Sequence, residues 1–175
     1  MKKLCFPLFI LFFGICTAQN FDAGIIGGFC TSQVTGDNLS GFSKLGSRFG
    51  TYISYPINKK MNYQLEMQYL QKGSKKPHSE NSPGTYLFEL NYIELPSTLN
   101  YQVKKGTHIE SGIGTGFLVG FKEQDEITDI NTDEPYKFAL DFLLGIQYEF
   151  KKNLKLNIRY ANSISRIRKH ASEQE

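Results

Sequence analysis

The sequence predicts an all-β chain, an antiparallel up-and-down β-barrel whose strands cross a membrane. Three observations carry this. Residues 61–69 alternate apolar and polar side chains without a break, and on a strand that makes one apolar face and one polar face. Similar segments recur down the chain behind an export signal. The connections alternate between tight turns and long polar loops, as in barrels with short periplasmic turns and long outside loops.

Residues 1–18 read as the export signal. Lys2 and Lys3 form its basic start, Leu4 to Cys16 its apolar stretch, and Cys16, Thr17 and Ala18 the small residues before a cut at Gln19. Ile15 ahead of Cys16 argues against a lipid-modified cysteine, and the apolar run is too short for a retained membrane helix. The rest, 19–175, has the length of one domain. Cleavage leaves Cys30 as the only cysteine, so no intramolecular disulfide forms, and stability rests on strand ladders and packing. Losing Lys2 and Lys3 takes the formal charge from +3 to +1, leaving no general basic surface for nucleic acid.

Seven strand segments follow in order. The first, Phe21 to Cys30, sets Phe21, Ala23, Ile25 and Phe29 against Asp22 and Gly24. The second, about Gly46 to Ile57, sets Phe49, Ile53, Tyr55 and Ile57 against Arg48, Gly50 and Ser54. The third is Met61 to Tyr69. The fourth, Tyr86 to Tyr101, changes phase: Phe88, Leu90 and Tyr92 are apolar on even positions, Ile93, Leu95, Leu99 and Tyr101 on odd ones. A bulge near Tyr92 or Ile93 would restore a single outward apolar face, and Pro96 beyond it lacks a ladder donor.

The fifth segment, Thr107 to Phe121, directs Ile109, Ile113, Phe117, Val119 and Phe121 outward. Its inward positions include Gly112, Gly114, Gly116 and Gly120, which leave room in a narrow barrel for larger opposing side chains. The sixth, Tyr136 to Phe150, alternates apolar residues with Lys137, Asp141, Gln147 and Glu149. The seventh, Leu154 to Ile164, sets Leu154, Leu156, Ile158 and Tyr160 against Lys155, Asn157 and Arg159. Each is close to the ~9–11 residues of a tilted spanning strand.

Tight turns fall at 58–60, 102–106 and 151–153, and long polar connections at 31–45, 71–85 and 122–135. A soluble lipid-binding barrel, the alternative from another class, has no reason to alternate so regularly.

Several motifs also resemble a known group. They are Gly24 to Gly28 after the signal, Glu66 through Gly73 (Glu-Met-Gln-Tyr-Leu-Gln-Lys-Gly) and Tyr92-Ile93-Glu94-Leu95-Pro96. Gly112 through Gly116 and the Arg159-Tyr160 pair complete the set. Their order and spacing are similar to the PorT-like outer-membrane β-barrel family of Bacteroidetes, over nearly all of the mature chain. The resemblance implies an eight-stranded barrel of largely undetermined function, whose founding member is associated with protein secretion across the outer membrane. Family members end in a further strand with a terminal aromatic residue, whereas this sequence stops at Gln174-Glu175. The expectation is therefore a barrel domain that is C-terminally incomplete by about one strand, since open edges in lipid leave backbone groups unsatisfied.

Arg48, Glu66, Glu110 and Arg159 project to the expected lumen at similar depth, with Asp22, Glu94 and Asp141 as further members. Such a cluster is either a charged pore or proton-linked site, or a polar plug of paired charges. Eight strands leave an interior that side chains can fill, which favours the plug. No catalytic, cofactor or metal site is expected. His108 and Glu110 share a face but Ser111 points away, and His78, Ser79 and Glu80 are adjacent on a loop, which does not make a triad. The acidic run from Glu123 to Glu134 lacks the spacing of a calcium loop. Gly112-Ile113-Gly114 precedes no helix that could hold a phosphate.

Lysine pairs at 59–60, 104–105 and 151–152 occupy all three short turns, either against phospholipid head groups or simply blunting the turns. Tyr52, Tyr63, Tyr69, Tyr101, Tyr136 and Tyr148 suit interfacial girdles. The resulting expectation is a non-enzymatic protein of the Gram-negative cell outer membrane, without cofactor, structural or accessory in role. Its partners would be outer-membrane lipid and other outer-membrane or secretion components. The alternative is a narrow porin-like channel for small solutes.

Overall fold

The computed structural model describes residues 21–32, 44–76, 86–125, 135–151 and 153–165. Residues 1–20, which include the expected export signal at 1–18, the segments at 33–43, 77–85 and 126–134, and residues 166–175 lie outside them. The described residues form seven strands: β1 Asp22–Ser32, β2 Lys44–Pro56, β3 Met61–Lys76, β4 Tyr86–Lys104, β5 Thr107–Asp125, β6 Phe138–Lys151 and β7 Leu154–Ser163. They make one curled antiparallel sheet in chain order, β1 to β7. Since every neighbour is antiparallel and the count is odd, the two edges, β1 and β7, run in the same direction. The eighth strand that the resemblance implies has no counterpart among the described residues.

Two of the short turns have a local cause. At the β2–β3 turn the Asn58 side chain accepts from the backbone N–H groups of Lys60 and Met61, both at 2.9 Å, an Asx-type closure. The β4–β5 turn is tighter than the sequence suggests, because β4 runs on to Lys104, opposite Thr107. Gly106 there has φ +81°, a left-handed conformation that glycine adopts without steric cost.

The outer face of the sheet is apolar over most of its height. Ile25, Phe49, Ile53, Met67, Leu99, Ile113, Phe142, Ile146 and Ile158 are all exposed there. A soluble protein rarely shows so large an apolar surface, whereas lipid requires one. Inside, alternation places polar residues: Gln64, Glu66, Gln68, Glu94, Thr98, Asn100, Glu110 and Asp141 are buried. Tyr52 joins this inner face rather than a girdle, with the Lys155 ammonium 5.4 Å from its ring centre. Among the inward glycines, Gly116 makes room for Tyr92, since a Cβ there would lie 3.2 Å from the ring.

The phase change expected in the fourth strand does not occur. β3 and β4 keep one register from Met61 opposite Tyr101 to Lys76 opposite Tyr86, interrupted only around Pro96. Even positions of β4 therefore face inward throughout, and Phe88, Leu90 and Tyr92 are buried with Ala139 as an apolar cluster, Leu118 packed against it. What changes is polarity. Outward positions pass from Tyr101, Leu99, Leu95 and Ile93 to Asn91 and Glu89, while inward ones pass from Asn100, Thr98 and Glu94 to Tyr92, Leu90 and Phe88. β3 inverts at the same height, with Leu70 buried inward and Gln71 and Lys75 outward.

A register shift does lie nearby, but on β5. Asn91 pairs with Gly120 and Tyr92 with Leu118, leaving Val119 as the extra residue. Beyond it Gly120 sits opposite outward Asn91 and Phe121 opposite inward Leu90, the reverse of the faces expected for both. Strands of 16, 19 and 19 residues in β3, β4 and β5 exceed a bilayer span. The loops expected from residue 71 and from residue 122 thus begin as strand, because backbone pairing continues after the lipid-type alternation has ended.

Candidate functional site: the barrel lumen

Alternation on six strands, β2 to β7, brings the charged cluster together. Glu66 on β3 is at its centre. Arg159 of β7 reaches across the lumen to grip both its oxygens, Nη2 to Oε1 at 2.6 Å and Nη1 to Oε2 at 2.9 Å. Arg48 of β2 adds a bond to Oε2 at 3.1 Å, and Gln64 donates to Oε1 at 2.7 Å. The same Arg159 donates Nε to Glu110 of β5 at 2.5 Å, and Asn157 donates to the other Glu110 oxygen at 2.9 Å. Glu66 and Glu110 are 2% and 0% exposed, so every lone pair needs a partner inside the protein. Two-pronged arginine contacts meet that need with fixed geometry.

Glu94 and Asp141 form a second station, one layer toward the long-loop end. Lys72 of β3 bridges them, bonded to both carboxylates, and its ammonium lies 5.5 Å from the Tyr92 ring centre. Gln68 joins the stations: its side-chain oxygen accepts from Arg48 Nε at 2.6 Å and its amide donates to Glu94 at 3.1 Å. The six residues expected in the lumen thus belong to one connected network. Asp22 stands apart, paired with Lys155 at 2.9 Å near the short-turn end.

Sequence reasoning missed Lys72, Gln68, Gln64 and Asn157. For Lys72 a signal was present, because continuing the even-numbered polar phase of the third segment past Tyr69 leads to it. The hydrogen-bonding amides carry no comparable mark.

Above Lys72 the buried side chains of Phe88, Leu90, Tyr92 and Ala139 pack as an apolar cluster. A cavity of about 370 Å³ remains beside Lys72 and Asp141, between the β1 edge at Cys30 and the β7 edge at Arg159 and Ala161. Below, Thr98 and Asn100, each 1% exposed, have side-chain atoms with no hydrogen-bond partner among the described residues.

His108 Nδ1 makes no hydrogen bond there either, and Ser111 is exposed on the other face, so these side chains do not assemble a triad. Among the described residues no three His, Cys, Asp or Glu side chains converge as metal ligands. His78, Ser79 and Glu80 and most of the acidic run at 123–134 lie outside the described residues.

An apolar belt outside and paired charges inside are what a membrane barrel requires, and a family model for the outer membrane protein beta-barrel domain matches residues 17–168. The chain belongs to this outer-membrane β-barrel family. Neither a curated protein nor a solved structure matches it. Membership accounts for the orientation of both faces: the barrel's exposed apolar residues meet lipid, and its charges pair in the lumen.

Proposed function

We propose that this outer-membrane barrel is a non-enzymatic, accessory protein with an occluded lumen, resident in the outer membrane, and PorT-like in kind. One observation carries the reading. The network from Glu110 through Arg159, Glu66, Arg48, Gln68 and Glu94 to Lys72 and Asp141 spans the lumen, with its cations and carboxylates committed to one another. Buried ion pairs of this kind do not release their partners to a passing solute without a large desolvation cost.

The role then falls to surfaces other than the lumen: the lipid-facing wall, the turns and the outside loops. The motif resemblance supports assistance to protein secretion as the kind of task, without any catalytic step or cofactor. Planar-bilayer recording of the refolded protein tests this. An occluded barrel passes no steady current, whereas reproducible unit conductance at neutral pH would overturn the reading and establish a narrow channel.

A further inference from the structure

We propose that the short-turn end of the barrel is a binding collar for anionic phospholipid head groups. The inference rests on the outer-membrane assignment and is independent of whether the lumen is occluded.

The collar is built from three turns. Lys59 and Lys60 follow β2, Lys104 and Lys105 join β4 to β5, and Lys151 ends β6; all five are exposed. No acidic residue lies within the turns themselves. Each turn comes from a different hairpin, so the charges are distributed along the curled sheet rather than gathered on one side. A partner protein docking on one flank would call for a one-sided patch.

What fixes the ligand is the ring of aromatics directly beside these turns. Tyr55 and Tyr63 are opposite one another in the β2–β3 ladder, Tyr101 is opposite Met61, and Tyr148 is opposite Thr107, so each ring lies within the last few strand residues beside a short turn. All are exposed, joined by Phe21 and Phe150. Phe21 lies 5.4 Å from Tyr55, and Phe150 4.7 Å from Tyr148, between ring centres. Exposed tyrosines at strand ends sit at the boundary between hydrocarbon and head groups.

From Tyr101 to Lys104, and from Tyr148 to Lys151, is three residues, or about 10 Å along a strand at ~3.3 Å per residue. Tilt shortens that along the membrane normal, which puts the lysines within the roughly 5–8 Å head-group layer. Long lysine stems let the ammonium groups settle on phosphates there. The lysines thus stand at the depth of the phosphates, with charges that an anionic head group complements.

The chain has ten tyrosines and no tryptophan, so tyrosine emission is the intrinsic probe. The refolded full chain is placed in phosphatidylcholine vesicles containing brominated phosphatidylglycerol or, in parallel, brominated phosphatidylcholine, and quenching is compared. The expected result is quenching that favours the glycerol lipid by about threefold or more at low salt, given that a single lysine at an anionic surface supports up to ~5-fold. The preference should fall toward unity in high salt. Replacing Lys59, Lys60, Lys104, Lys105 and Lys151 by Gln should abolish it, while Lys75→Gln with Lys122→Gln at the opposite end should leave it intact.

Equal quenching by the two lipids in the unmodified protein overturns the proposal. So does a preference that survives the turn substitutions, or one lost on changing Lys75 and Lys122. If the turn variant fails to refold, judged by heat-modifiable gel migration, the salt series on the unmodified protein decides: a salt-insensitive preference refutes the collar. Ion conductance has no bearing on any of these readings.

Discussion

β4 passes through two regions that obey opposite rules. From Tyr101 to Ile93 its outward residues are apolar but for Ser97, which bonds the Tyr63 hydroxyl, and its inward ones polar but for Pro96; from Asn91 to Glu89 the outward residues are polar, and inward Tyr92, Leu90 and Phe88 are apolar. The backbone register is the same in both. The difference lies in the solvent outside the sheet. Where lipid surrounds the barrel, polar groups withdraw to the lumen and pair; where water surrounds it, apolar groups withdraw and pack. The inversion level is marked by Tyr69, whose ring stacks on Phe49 at 4.9 Å while its hydroxyl donates to Asn91 at 2.8 Å. A ring against lipid and a hydroxyl toward water suit the interface between the two regions.

The sharpest break in this comparison comes from the lipid-level interior. Glu66→Leu strips Arg159 and Arg48 of their shared carboxylate and should cost about 3–5 kcal/mol of unfolding free energy, read by urea titration in lipid vesicles. Removing Glu66, Glu110, Arg48 and Arg159 together, each replaced by Leu or Met so that no buried charge is left unpaired, should recover most of that loss; a quadruple variant as unstable as the single one would refute mutual pairing as the reason for the cluster.

The water-level interior should respond to lost packing. Leu90→Ala should cost about 2–5 kcal/mol, confined to the long-loop end and detected as faster protease nicking there while the heat-modifiable gel shift survives. Loss of the whole barrel would mean that the two regions do not behave separately.

Two outward substitutions on one strand test the boundary itself. Leu95→Arg, at lipid level, should destabilise by about 2–4 kcal/mol, and Asn91→Arg, four residues away on the same face, by about 1 kcal/mol or less. Equal costs would place Asn91 in lipid and remove the inversion. The smallest effect belongs to Tyr69→Phe, which deletes the hydroxyl bond to Asn91 and should cost about 0.5–1.5 kcal/mol. A double-mutant cycle with Asn91→Ala should show coupling between the two positions.

The strands were legible wherever lipid sets the pattern. Met61 to Tyr69 and Leu154 to Tyr160 read directly as apolar-out, polar-in, and the turns at 58–60 and 151–153 follow from the breaks in that alternation. The same rule misread Phe88, Leu90 and Tyr92, because a period of two identifies a strand without saying which face is wet. It also cut the third segment short of Lys72, and so hid the cation that joins Glu94 to Asp141.

By itself, then, the sequence determined that the chain is an antiparallel barrel with polar positions inside, because side-chain direction in a strand depends only on parity. Which of those polar residues meet was decided by tertiary structure. Arg159 and Glu66 are 93 positions apart, and only the curl of the sheet, through register and closure geometry, brings β7 across the lumen to β3. The place where lipid gives way to water was likewise settled in three dimensions, since a constant β3–β4 register and a change of burial had to be seen together.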